Sequence, residues 1–352
     1  MELSEPLDQL IDDKNLNYYT MAGNIAAKVL DTLVNMTKPG VKVFDICDKG
    51  DNMIIEEVNK VMKTIKDKGI AFPTCVSINE VAGFNSPMPD DKSIVKDGDL
   101  VKIELGVHVN GFPALVCYTV LVNESGQKIS DRRADVMKAA IEASREIINV
   151  MKPGKFNEDI VQIMKEKAEK YNCNLPAINE TVHAPGVLSF QISRSVIDGY
   201  NDDDDEFVHR FILCRNYENY DCGMRRLELE RDEVYAIDIL MSTGTGKLTR
   251  AGDSTIYKRL VDKFANFKLK FPKETLMSIG KTRFPIHLKS KDTKFKIGLK
   301  ECISKGVVED YPPMREKVGE YTARIKFTVV VRDKPILIIG RSAAAELSKI
   351  IE

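Results

Sequence analysis

The chain has 352 residues, 43% of them hydrophobic and 30% charged, the composition of a soluble globular protein long enough for about two domains. Its unbroken apolar stretches, such as residues 114–118, are far too short to span a bilayer, and the acidic stretch 1–13 lacks the apolar region of a signal peptide. Seven scattered cysteines without a C-x-x-C pair predict the reduced thiols of a cytosolic or nuclear protein, and four widely spaced histidines argue against a His-rich metal site.

In chain order, residues 21–56 predict an amphipathic helix, a stop at Lys38-Pro39-Gly40 and a second helix. Pro-Gly stops a helix because proline disfavours the helical conformation just before it and glycine tolerates the left-handed region. An extended stretch follows, with strands predicted at 70–78, 100–104 and 114–122. The pattern then repeats: a helical pair over 133–171 around Lys152-Pro153-Gly154, and strands at 207–213 and 233–241. Asp99 to Glu104 and Asp232 to Asp238 are similar buried-strand runs that reach an acidic residue. Helices in blocks followed by mostly antiparallel strands predict an α+β architecture of two related halves, with a cleft expected where the halves meet. The last strands are predicted at 321–331 and 336–339.

Roughly eighty residues separate the strand ending at Met241 from that final hairpin, too many for a plain loop. From Lys247 to Lys300 there are fifteen Lys/Arg against four acids, a net charge of +11, while the whole chain carries −1 and the remainder therefore −12. Lys247, Arg250, Lys258, Arg259, Lys263, Lys268, Lys270, Lys273, Lys281 and Arg283 are the candidate phosphate contacts of this segment, since such a patch attracts polyanions. Phe264, Phe267, Phe271, Phe284 and Phe295, interleaved with the charges, are expected to pack the core of a small folded insert, with stacking on bases the other use open to them. The predicted organisation is a core over 1–247, the basic insert over 248–313, and strands and a helix over 314–352 that complete the core. Asp202 to Glu206 read as a solvated acidic turn, and His183 as a structural histidine. Gly244-Thr245-Gly246-Lys247 is similar to a phosphate-binding loop, but Met241 and Leu248 stand where that motif needs Gly and Ser/Thr.

Three runs resemble type II methionine aminopeptidases: Gly69 to Thr74, Gly98 to Gly111 and Glu233 to Asp238. Ser254 to Arg259 and Ala323 to Thr328 resemble more specifically the proliferation-associated (ErbB-receptor-binding) proteins, the non-peptidase branch of the same fold. The resemblance extends from Tyr18 to Ile339. It implies a pita-bread (methionine-aminopeptidase-like, creatinase-like) fold and a monomeric, ribosome-associated factor. Such a factor would bind ribosomal RNA, and ribosomal proteins, around the peptide exit of the large subunit. It further implies cytoplasmic and nucleolar pools and no membrane partner.

Active relatives hold two divalent ions with two aspartates, a histidine and two glutamates, and place another histidine near the substrate. Carried over residue by residue, those ligand positions fall on Glu104, Leu115, Phe190, Asp238 and Lys326, and the substrate histidine on Gly83 or Phe84. Two carboxylates remain, so no metal, no cofactor and no peptidase activity are expected. Two arrangements are open for Lys326: an internal ion pair between Glu104 and Asp238, or three side chains pointing separately into a wet cleft. A metallo-aminopeptidase with rearranged ligands and a peptide-binding adaptor using the vestigial cleft are the competing functions.

Overall fold

A computed structural model describes residues 11–176, 189–198, 211–212, 226–288 and 292–339. Helix α1 (Asp13–Met36) starts eight residues before the apolar periodicity becomes legible. Its onset is set by polar chemistry, the Asp12 carboxylate accepting the Asn15 N–H at 2.6 Å. Ala22, Ile25, Ala26, Val29, Leu30 and Leu33 recur at helical spacing and are buried. The helix ends at Thr37 before Lys38-Pro39-Gly40, where Gly40 has φ +84°, and α2 (Val43–Lys60) follows. The second pair, α3 (Arg132–Val150) and α4 (Asn157–Lys170), is built alike, with an Asp131 cap and Gly154 at φ +83°.

The first half supplies strands β1 (Lys68–Ile78), β2 (Val81–Gly83), β3 (Leu100–Val109) and β4 (Phe112–Leu121). The second supplies β5 (Ser189–Gln191), β6 (Phe211–Ile212) and β7 (Val234–Ser242). Between β7 and the last long strand lie β8 (Thr249–Arg250), β9 (Ile256–Arg259), α5 (Lys270–Ile279), β10 (Ile286–His287), α6 (Thr293–Ser304), β11 (Val308–Tyr311) and β12 (Met314–Arg315). The chain then returns through β13 (Thr322–Val330) and β14 (Ile336–Leu337). The large sheet is antiparallel in the order β1-β3-β4-β13-β7-β5-β6, with β14 on β13, and α1 to α4 pack on its strands. β3 and β7 are buried along their whole length, as their near-continuous apolar sequences require. The predicted strand at 207–213 is described only at β6; the acidic run 202–206, His183 and the closing helix beyond residue 339 lie outside the described residues.

β13, late in the chain, occupies the centre of the sheet between the two halves. It pairs along its length with β7, but with β4 it keeps register only at Lys326↔Cys117. On either side of that pair, side-chain hydroxyls take over from the ladder. Thr119 Oγ1 accepts the Arg324 N–H at 2.7 Å and donates to the Arg324 carbonyl at 2.8 Å; Thr328 Oγ1 accepts the Leu115 N–H at 2.9 Å. The junction of the halves is thus closed by two threonines that satisfy backbone groups across a gap too wide for direct pairing.

The segment between β7 and β13 has its own sheet, β10-β9-β11, and its own apolar cluster of Phe267, Ile279, Leu299, Cys302, Val307 and Val308. Helices α5 and α6 approach closely at Gly298, where a Cβ would overlap the Thr275 hydroxyl. The five phenylalanines do not share one core, as the interleaving suggested. Phe267 is central, Phe271 and Phe295 are half-buried, and Phe284 stacks on His108 of β3 at 4.2 Å. Phe264 is 91% exposed, so it is corrected from core to surface.

Where this segment meets the core, Lys258 of β9 pairs with buried Asp198, whose carboxylate also lies 3.5 Å from the Tyr311 hydroxyl. Glu309 of β11 sits opposite Lys258, and burial, then the Asp198 charge, push its carboxyl up to about 7. A carboxyl raised in the folded state contributes stability that is complete below its unfolded pKa and lost as pH rises through the folded value. Glu309→Gln is therefore expected to raise the melting temperature at pH 8 and leave it nearly unchanged at pH 5, which thermal unfolding at the two pH values measures.

Candidate functional site

Sheet register assembles the site before any side chain is considered. Cys75 of β1, Glu104 of β3, Cys117 of β4, Lys326 of β13 and Asp238 of β7 are successive partners across five strands. Residues opposite one another in antiparallel strands project from the same face, so Glu104, Lys326 and Asp238 share one row although up to 222 residues separate them. Of the two arrangements open for Lys326, it takes the ion pair: Nζ lies 2.5 Å from Glu104 Oε1 and 2.7 Å from Asp238 Oδ2.

Arg324 completes the arrangement, and the motif analysis did not single it out. Its guanidinium reaches Glu104 through Nη1 at 2.7 Å and Nη2 at 3.0 Å, and Asp238 through Nε at 2.8 Å and Nη2 at 2.6 Å. All four carboxylate oxygens accept from a cation, and two positive charges face two negative ones. The Arg324 side chain is 1% exposed and that of Lys326 11%. The planar five-donor fork lets one arginine engage both oxygens of each carboxylate, whereas the Lys326 ammonium reaches one oxygen of each. Burial by itself would raise the Asp238 carboxyl, but Arg324 and then Lys326 outweigh it and hold it below the ordinary range. Burial and the Arg324 charge oppose the Lys326 ammonium, yet the two carboxylates keep its pKa above the usual value.

The rim is fitted to these cations. A Cβ at Gly83 would overlap Arg324 Nη1, so only glycine leaves room for the guanidinium. Phe84 takes a left-handed conformation (φ +64°) and lies 5.1 Å from Arg324 Cζ, a cation–π distance; its ring also meets Phe72 and Tyr311. The next row along the sheet holds Leu115, opposite Gly106, and Phe190, opposite Ala236. The signal that could have revealed Arg324 is simple. It is two residues from Lys326 on one strand, hence on the same face.

The basic candidates divide. Lys258 is 7% exposed and its charge is spent on Asp198, so it is withdrawn as a phosphate contact. Arg259 donates to the Leu276 and Gly280 carbonyls at the end of α5. Arg250 binds Ser254 and Asp310, and Arg283 pairs with Asp262 at 2.7 Å. Lys247, Lys263, Lys268, Lys270, Lys273 and Lys281 are exposed, with Lys270 also reaching Glu274 at 2.8 Å. The loop similar to a phosphate-binding motif does hold an anion, but the protein's own: Glu316 Oε2 accepts the Gly246 N–H at 2.6 Å and the Ser242 hydroxyl at 2.9 Å.

Comparison with known proteins gives three concordant findings. The model of metallopeptidase family M24 matches residues 17–211. Over 324 residues the chain is 36% identical to ErbB-3 binding protein 1 of Arabidopsis thaliana, covering 89% of this chain and 76% of the relative. It is 33% identical over 348 residues to the curved DNA-binding protein of Schizosaccharomyces pombe, covering 96% and 86%. Among solved structures, a thermophilic Arx1 superposes with TM-score 0.79 at 22% identity, covering 94% of this chain and 91% of that one. The methionine aminopeptidase of Rickettsia prowazekii shares the fold at TM-score 0.60 and 16% identity, covering 94% and 98%.

Arg324→Ala leaves two buried carboxylates with one ammonium and is expected to destabilise the fold by about 3–5 kcal/mol, read from urea unfolding. Glu104→Gln combined with Lys326→Met removes one charge of each sign and is expected to cost clearly less.

Proposed function

The chain belongs to metallopeptidase family M24, on the proliferation-associated (ErbB-3-binding) branch of the methionine-aminopeptidase-like pita-bread fold, and from that premise we propose that it is a catalytically silent member that binds ribosomal RNA. In this reading it docks as a monomer on the large ribosomal subunit near the peptide exit, against RNA and neighbouring ribosomal proteins. It works in the cytoplasm, with a nucleolar pool.

The observation that carries the loss of catalysis is the pairing of every oxygen of Glu104 and Asp238 with Arg324 and Lys326. This donor set does not fit a pair of divalent ions. A metal would have to displace a guanidinium and an ammonium from a buried site, and Leu115 and Phe190 offer it no ligand atom. The charge contrast supports RNA binding. A +11 segment on a −12 remainder is matched to a polyanion, and one relative's name records binding to DNA.

Co-sedimentation with large ribosomal subunits across a salt series tests the reading. Neutralising Lys268, Lys270 and Lys273 together is expected to weaken association and flatten its salt dependence; unchanged binding and slope would remove the insert from the contact. A Met-Ala peptide assay with added manganese or cobalt addresses catalysis, and neither turnover nor metal-induced stabilisation is expected. The adaptor reading draws on one observation, a cleft of about 460 Å³ beside the vestigial pocket, bounded by Ser86, Met88, Asp91, Thr255 and Pro313. Saturable binding of short peptides, lost on filling that cleft with Ser86→Phe, would favour it.

A further inference from the structure

The insert exposes apolar groups where a solvated basic face would have none. Of the seven large hydrophobic side chains exposed among the described residues, four lie between Lys247 and Lys300: Phe264, Leu269, Met277 and Ile297. Phe264 is the most exposed of them, at 91%, in the turn between β9 and α5. It is next in sequence to Lys263 and four and six residues before Lys268 and Lys270, all exposed. On α5 the buried residues Pro272, Thr275 and Ile279 lie on one side and the exposed Lys270, Lys273 and Met277 on the other.

We infer that Phe264 is a stacking platform for an unpaired RNA base, with the flanking lysines holding the adjoining phosphates, so that the insert prefers single-stranded or looped RNA to duplex. The inference rests on the RNA-binding reading above and sharpens it from polyanion attraction to recognition of a base. An exposed planar aromatic ring flanked in sequence by exposed lysines has the two components that single-strand binding needs, a sequence-tolerant π face and charges that track the backbone. Duplex RNA hides its base faces and would meet only the lysines. An anionic membrane fits less well. The outward stripe of α5 carries Lys270, Lys273 and Glu274 with the single apolar Met277, and that is no apolar face to bury in lipid.

The chain contains no tryptophan, so Phe264→Trp places a single fluorescent reporter at the platform without touching the core. The probes are poly(U), an RNA duplex of equal length, heparin, polyglutamate and phosphatidylserine vesicles. Emission is expected to be quenched by poly(U) and left largely unchanged by heparin, which has the charge but no bases. Phe264→Ala is expected to weaken poly(U) binding about tenfold or more. Duplex affinity and the salt slope of poly(U) binding should stay as they were, whereas neutralising Lys268, Lys270 and Lys273 lowers the slope for every polyanion. Poly(U) binding that neither quenches the tryptophan nor responds to Phe264→Ala would overturn the platform while leaving RNA binding intact. A blue shift confined to vesicles, or a response confined to polyglutamate, would overturn it in favour of a membrane or a protein. Failure of the unaltered protein to bind RNA at all would instead sink the parent reading.

Discussion

Two carboxylates buried in the middle of a sheet cannot stay charged without positive charge beside them, and the centre of this protein is arranged around that requirement. The desolvation penalty for each ion amounts to several kcal/mol, whereas an ion pair at about 4 Å returns roughly 4 kcal/mol at the effective dielectric of such sites. One counter-ion per carboxylate with poor geometry would leave a deficit. Arg324 avoids it by binding Glu104 and Asp238 together, and Lys326 adds a second charge to the same two groups. Glycine at position 83 and the left-handed Phe84 follow from the same need, one making room for the guanidinium and the other covering it.

The same contacts bear on how the two halves hold together. Glu104 belongs to the first half and Asp238 to the second, and both cations come from β13, which enters the sheet after the insert has been traversed. The halves are therefore joined through a strand 220 residues from one carboxylate and 86 from the other. Direct backbone pairing between β4 and β13 is limited to one position, with Thr119 and Thr328 flanking it. Packing, hydroxyl bridges and the four-group cluster thus all converge at the seam. Contacts of such long sequence separation form late and slowly, because the loops they close must be ordered before the contacts return any free energy.

Much of this was legible in the sequence. The helical pairs, their Pro-Gly stops and the strands running into Glu104 and Asp238 follow from local periodicity and turn chemistry. Resemblance places two acids and a lysine at former ligand positions but leaves open whether they pair or point apart into a wet cleft; the structure pairs them. Three residues are not legible from resemblance or composition, each for a different physical reason. Arg324 stands at no ligand position of the active relatives, so resemblance does not point to it; alternation along a strand does, because it puts Arg324 on the same face as Lys326. Nothing local distinguishes Lys258 from the surface charges around it; only the packing of β9 against Asp198 does. Phe264 reads in the sequence as core, because composition cannot tell a buried aromatic from an exposed one. The nearby Phe267, three residues on, took the core position instead.

The charge distribution places a further limit on any polyanionic partner. A remainder at −12 repels phosphates, so attraction is confined to surface lying beyond about one Debye length, roughly 8 Å at physiological salt, from the acidic core. Cations already paired or bonded within the protein add little there. Lys258 neutralises Asp198, Arg283 pairs with Asp262, and Arg259 ends α5. Exposed lysines remain in the turn after β9 (Lys263, Lys268), on α5 (Lys270, Lys273), beyond it (Lys281) and on α6 (Lys294, Lys296, Lys300), in the same stretch of chain as the exposed Phe264, Met277 and Ile297. A polyanion steered by the long-range field would therefore be delivered to the basic segment, which also offers it apolar contact. The repulsive core then acts as a guide, restricting approach to that side.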